Sequence, residues 1–167
     1  MDSSSDGVSV RLLTEGDLER LVRMDERLTG RNRRLWYERK LRRALQETDI
    51  RISLGVERDG TLVGALLGSL LYGEFGQPEP AAQIDTILVD EAFAGRGIGT
   101  ALVDQLLRNL RALGIERVRT EVGWEEHDLS RFLARRGFAP LPRLVLEASV
   151  VAPPDRETST ERETAAR

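Results

Sequence analysis

A chain of 167 residues with 40% apolar and 32% charged residues has the size and composition of one soluble globular domain with a substantial core. It has no cysteine and a single histidine, His127, which excludes disulfides, thiolate catalysis and Cys-type or multi-histidine metal sites, so no metal is expected. A net charge of −3 gives no overall case for a nucleic-acid partner.

The first residues, MDSSSDG (1–7), are polar, carry no basic-then-apolar signal pattern and are expected to fray. Val8 to Leu13 reads as a strand. Thr14 opens a helix through T-E-G-D, which resembles a capping box with Asp17 at its third position. Leu18, Leu21, Val22 and Leu28 share one face of that helix, and GRNRR (30–34) breaks it. A second helical pattern runs to about Gln46 with Leu35, Leu41, Ala44 and Leu45 inward.

Ile50 to Glu57 alternates as a strand, Asp59-Gly60 signals a hairpin turn, and Thr61 to Tyr72 is the returning strand. The apolar stretch 62–72 is broken by glycine and falls short of the roughly 20 residues that span a bilayer, so a cytoplasmic setting with no membrane partner is expected. GEFGQPEP (73–80) is a loop, and Ile84 to Val89 is a strand buried on both faces. Gly97 to Leu113 is an amphipathic helix with Ile98, Leu102, Leu106 and Leu110 on one stripe, stopped by Gly114. Arg117 to Gly123 is a strand, Asp128 caps a short helix that stops at Gly137, and Arg143 to Ser149 alternates as a last strand. The residues from Val151 onward lack apolar periodicity and are expected to be disordered. The order β-α-α-β-β-β-α-β-α-β makes a mixed α/β domain over residues 8–150.

The junction FAGRGIGT (93–100) carries the chemistry. Gly95, Gly97 and Gly99 stand between a strand and a helix, where a helical glycine costs up to about 1 kcal/mol relative to alanine. A glycine-rich helix start is an anion site, because its amides point outward and missing Cβ atoms admit a phosphate. A P-loop needs a lysine between the last glycine and Thr100, and none is there. A dinucleotide fingerprint beginning at Gly97 needs a small residue where Leu102 stands, and one beginning at Gly95 meets Thr100.

LVDEAFAGRGIGTALV, together with the element order of residues 8–149, resembles the central motif of the GNAT superfamily of acetyl-CoA-dependent N-acetyltransferases. Ala94 stands where that motif has Arg or Gln. The resemblance implies a mixed, mostly antiparallel twisted sheet flanked by helices and splayed at its middle strands. It also implies acetyl-CoA as co-substrate, its pyrophosphate cradled by Gly95, Arg96, Gly97, Ile98, Gly99 and Thr100, its pantetheine arm along Ile87, Leu88 and Val89. The reaction implied is acetyl transfer to a primary amine of a small molecule, peptide or protein in a ternary complex, and homodimers occur among such proteins.

Proton handling departs from the family's pattern. Gln83 occupies the usual Glu position, six residues before Val89. Asp85 has the strand parity of Val89 and is the preferred base, its structural alternative being an ion pair with a neighbour; Glu74 is the runner-up. Leu133 occupies the usual tyrosine position before Gly137-Phe138, and Glu126 replaces an Asn, leaving Tyr72 and Tyr37 as candidate acids. Because the early helices wall the acceptor site in proteins of this kind, Arg31, Arg33, Arg34 and Tyr37 are candidate acceptor contacts, the alternative being a solvated helix face. The missing proton-handling residues leave a second function open, a non-catalytic acyl-CoA-binding or sensing module.

Overall fold

The computed structural model describes residues 8–46, 50–73, 76 and 78–150. The expectations for 1–7, Glu74 and the tail from Val151 fall outside these residues. In chain order the elements are β1 (Val8–Leu12), α1 (Leu18–Thr29), α2 (Arg34–Gln46), β2 (Leu54–Arg58), β3 (Thr61–Leu71), β4 (Ala81–Val89), α3 (Ile98–Ala112), β5 (Val118–Thr120) and α4 (His127–Ala134). Short 3-10 turns at Glu15–Asp17 and Glu91–Phe93 lead into α1 and toward α3.

The strands form one mixed sheet in the order β1-β2-β3-β4-β5. The first four are antiparallel neighbours, and β5 joins β4 in parallel after the α3 crossover. Asp59 and Gly60 both have positive φ, 50° and 74°, as a two-residue hairpin with the twist of its strands requires. Each face of the sheet buries its own core. On one, Val56, Val63, Leu66, Ala82 and Ile84 pack against Ile98, Leu102, Val103, Leu106 and Leu110 of α3. On the other, Leu62, Ala65, Leu67 and Leu88 pack against Leu21, Val22 and Met24 of α1 and Tyr37 and Leu41 of α2. Among the described residues no helix is long and apolar enough to cross a membrane.

Four expectations are corrected. Arg143 to Ser149 is irregular rather than a strand, with Leu144, Val145 and Leu146 exposed. The sheet ends at the three-residue β5 among the described residues, and alternation without a neighbouring ladder does not make a strand. Leu35 is exposed because α2 turns Tyr37 and Leu41 inward at i, i+4 spacing, which leaves position 35 near the opposite side. Leu28 is exposed in the last turn of α1, just before Gly30 ends the helix in the left-handed region. The short last helix starts at His127, so Asp128 lies in its first turn rather than at the cap.

The Thr14–Asp17 box forms, although it introduces a 3-10 turn ahead of α1. The buried Asp17 carboxylate accepts from the Thr14 amide at 2.8 Å, its hydroxyl at 3.1 Å and the two terminal guanidinium nitrogens of Arg11 at 2.8 Å. Burial pushes the carboxyl up, but the bonds from Arg11 and Thr14 outweigh it and hold the group below the usual carboxylate value. A depressed folded value means that the stabilisation is present above the unfolded value of about 3.9 and is lost as pH falls through the folded one. Asp17→Asn is therefore expected to lower unfolding free energy by about 1–2 kcal/mol at pH 7 and to flatten its fall between about pH 5 and 2, as read by urea denaturation.

Candidate active site

The two middle strands fall out of step once. β3 and β4 pair as Leu67↔Thr86 and then Gly68↔Ile84, so Asp85 is the extra residue of a β-bulge. A Cβ on Gly68 would lie 2.8 Å from the Gln83 carbonyl oxygen, so only glycine permits this approach. On the β2 side, just past the Leu54↔Leu66 pair, the buried Ser53 hydroxyl holds Gly68, donating to its carbonyl at 3.2 Å and accepting from its amide at 3.1 Å. The bulge reverses the side-chain parity of β4. Ala82 and Ile84 face α3, and beyond Asp85 it is Ile87 and Val89 that pack on that side while Leu88 enters the α1/α2 core. Asp85 thus does not share the face of Val89, which corrects the parity expectation: it turns toward α2, where Lys40 Nζ lies 3.0 Å from its carboxylate.

A small pocket is lined there by Lys40, Arg43, Ala44, Gly68, Ser69 and Asp85. Lys40 also sits 5.6 Å from the centre of the Trp36 ring, one helical turn earlier. These residues escaped the sequence reading, although Trp36, Lys40 and Arg43 stand at the i, i+4, i+7 spacing of one helix face.

β5 leaves β4 at the same level. Their pairing covers only Ala82↔Val118 to Ile84↔Thr120, so Asp85 to Val89 has no strand on that side among the described residues. This is the splay expected beside Ile87, Leu88 and Val89. It offers unpaired backbone to an amide-bearing chain.

β4 runs out of this opening into the glycine junction. Gly95 and Gly97 have φ of 72° and 78°, in the left-handed region that favours glycine. Gly97 is the cap residue rather than part of the helix, and the helix starts at Ile98 with no side-chain cap. Gly99 is glycine for another reason: a Cβ there would lie 3.3 Å from the Phe132 ring of α4. The first backbone bond into α3 is from the Ala101 amide to the Gly97 carbonyl, so the Ile98, Gly99 and Thr100 amides have no acceptor in the helix. In the connection before α3, the guanidinium groups of Arg96 and Arg58 lie 5.5 and 5.8 Å from the centre of the Phe93 ring.

The remaining predicted residues are not brought together. Tyr37 is fully buried in the α1/α2 core, where burial and then the charge of Asp25 push its phenol above the usual value. It is therefore not an acceptor contact, a second correction at this site. Arg33 donates to the buried Asp25 at 2.7 Å and lies over the Trp36 ring, and Arg34 is paired with Glu38 at 3.0 Å and with Glu19. Both arginines join helices rather than face the pocket, and Arg31 is exposed. Tyr72 is 64% exposed beyond the Leu71↔Ala81 pair, roughly 13 Å of strand from the level of Asp85. Leu133 is buried and provides no proton donor.

An open mixed sheet flanked by helices on both faces, diverging beside a glycine-capped helix start, defines the class of α/β domain. The chain matches the acetyltransferase (GNAT) family over residues 18–138 and belongs to that family. It is 34% identical over 91 residues to an amino-acid acetyltransferase of Mycobacterium tuberculosis. That match takes in 54% of this chain and 46% of the relative, so the chain spans about half that relative's length. Among solved structures it is similar to an aminoglycoside N-acetyltransferase, AAC(6')-Iy, in complex with CoA, with a TM-score of 0.73 and 17% identity over 90% of this chain and 100% of that one. A transcriptional regulator from Bacillus halodurans has the same fold at a TM-score of 0.71 and 23% identity, over 85% and 99% of the two chains.

Because the Gly68 backbone touches Gln83 across the bulge, Gly68→Ala must push the strands apart. It is expected to lower unfolding free energy by about 1–3 kcal/mol in urea denaturation.

Proposed function

We propose that this chain transfers the acetyl group of acetyl-CoA to a primary amine of a small molecule or peptide, the two substrates being held together. The observation that carries this reading is the sequence of two open backbone edges in one connection, the half of β4 that β5 does not follow and the amides of Ile98, Gly99 and Thr100 at the start of α3. Those amides, with Gly95, Arg96 and Gly97, hold the pyrophosphate, and Ile87, Leu88 and Val89 take the pantetheine arm. Acetyl-CoA supplies the activated thioester. Binding both partners in one cleft supplies proximity.

Asp85 accepts the proton of the incoming ammonium, directly or through a water, displacing Lys40 from its carboxylate. A protein acid for the departing thiol is not needed, since a thiol with a reference pKa of about 8.5 takes its proton from water. Lys40 and Arg43 give the same pocket a positive side, which suits an acceptor carrying an anionic group as well as an amine.

A second reading, a non-catalytic coenzyme-binding module, is favoured by the Lys40–Asp85 pair that fills the narrow pocket and by Leu133 in place of a donor. Thiol release from acetyl-CoA with a panel of amines separates the two. Release with at least one amine is expected, and saturable CoA binding without release from any amine would establish the second reading. Gly97→Glu, which places a carboxylate at a left-handed cap amid the amides, is expected to abolish CoA binding in calorimetry. Asp85→Asn is expected to lower kcat by about 100-fold or more, with KM for acetyl-CoA within a factor of about three.

A further inference from the structure

Asp90, which follows β4 directly, is one of the few buried charged residues among the described residues, 7% exposed. Nothing in the reaction described above uses it. Its bonds tie the end of β4 to three segments: to β3 through the backbone amide, and to the following turn and α1 through the carboxylate. Its amide donates to the Val63 carbonyl of β3 at 2.9 Å. Its Oδ1 accepts from the Ala92 amide at 3.0 Å, capping the 3-10 turn Glu91–Phe93, whose Phe93 amide donates back to the Asp90 carbonyl at 2.8 Å. Its Oδ2 accepts from Arg20 of α1 at 2.5 Å, and Arg20 Nε donates in turn to the Leu62 carbonyl at 2.9 Å. Arg27, two turns further along the same face of α1, stands 3.9 Å away.

We infer that Asp90 is a positioning residue for the coenzyme site: with Arg20 it fixes the direction in which the chain leaves β4 and so the aim of the Gly95–Thr100 amides. The inference rests on the coenzyme reading given above. The chain between the carboxylate and the amide array is short. It runs through the capped turn, Ala94, Gly95, Arg96 and Gly97, both glycines left-handed. Left-handed glycines have wide backbone freedom, so the array's direction is set by what anchors its two ends. One end is α3, packed in the core by Ile98 and Leu102; the other is Asp90. Arg20 has a second task. A bare buried carboxylate at the root of a phosphate site opposes anion binding, and the guanidinium neutralises it while bridging to β3.

The test compares Asp90→Ala, Asp90→Asn, Arg20→Met and the control Asp17→Ala, which removes an equally buried carboxylate at the β1–α1 junction. For each, CoA affinity is measured by calorimetry, KM for acetyl-CoA and kcat by thiol release, and melting temperature without ligand. Asp90→Ala is expected to weaken CoA binding and raise KM for acetyl-CoA at least tenfold, with kcat at saturation within about threefold. Asp90→Asn, which keeps an acceptor for the Ala92 amide, is expected to recover most of the affinity, and Arg20→Met to fall between them. Asp17→Ala is expected to lower the melting temperature and leave CoA affinity unchanged. CoA affinity within twofold of wild type in both Asp90→Ala and Arg20→Met would overturn the inference, as would equal losses in Asp90→Ala and the control. Should Asp90→Ala not fold, unchanged affinity in Arg20→Met alone overturns it. A wild-type chain that binds no CoA sinks the coenzyme reading itself, whereas one that binds it as tightly as Asp90→Ala does sinks only this inference.

Discussion

One surplus residue in β4 organises the rest of the molecule. Two antiparallel strands with matched register would keep their parity and their partner from end to end. Here the backbones of Gly68 and Gln83 come close, Ser53 holds Gly68 from the β2 side, and Asp85 is left over. The strand twists more sharply past a bulge, and β5, which follows β4 only as far as Ile84, does not continue alongside it. One local mismatch thus coincides with a carboxylate turned toward one face and a gap in the sheet on its edge.

At that gap and again at the start of α3 the protein leaves backbone groups without a partner in the sheet or helix. A backbone surface is rigid where its ends are anchored, and its donors are aimed at low entropic cost. The three glycines of the junction illustrate how unlike the reasons for one residue type can be. Gly95 and Gly97 provide left-handed backbone, whereas Gly99 makes room for Phe132 and so lets α4 pack over the first turn.

The fold was readable because its signals are local and periodic: the α3 stripe of Ile98, Leu102, Leu106 and Leu110, the Asp59-Gly60 turn and the Thr14–Asp17 box all appear in the structure. The glycine junction was legible for the same reason. What escaped depends on pairing between distant segments. The side on which Asp85 emerges is set by the register shift opposite Gly68 of β3, not by its own neighbours, so counting from Val89 pointed it the wrong way. Arg33 and Arg34 looked available because their acids, Asp25 and Glu19, lie on another helix. Tyr37 looked like a wall residue because the inward face of α2 is chosen by what α1 offers it. Asp90, directly before a turn, did carry a local sign, the short side-chain-to-backbone bond that Asp forms two residues on.

The resting contact between Lys40 and Asp85 bears on how an amine enters. A lone carboxylate in so narrow a space would have to shed its water when the guest arrives, and that penalty would fall on affinity. Here it has been met during folding, by an ammonium that belongs to the protein. On the reading proposed, the guest's own ammonium replaces it like for like. The side chain of Lys40, held by one flexible stem against Trp36, then has only to swing aside. Arrival becomes an exchange of partners at constant charge rather than the burial of a new ion.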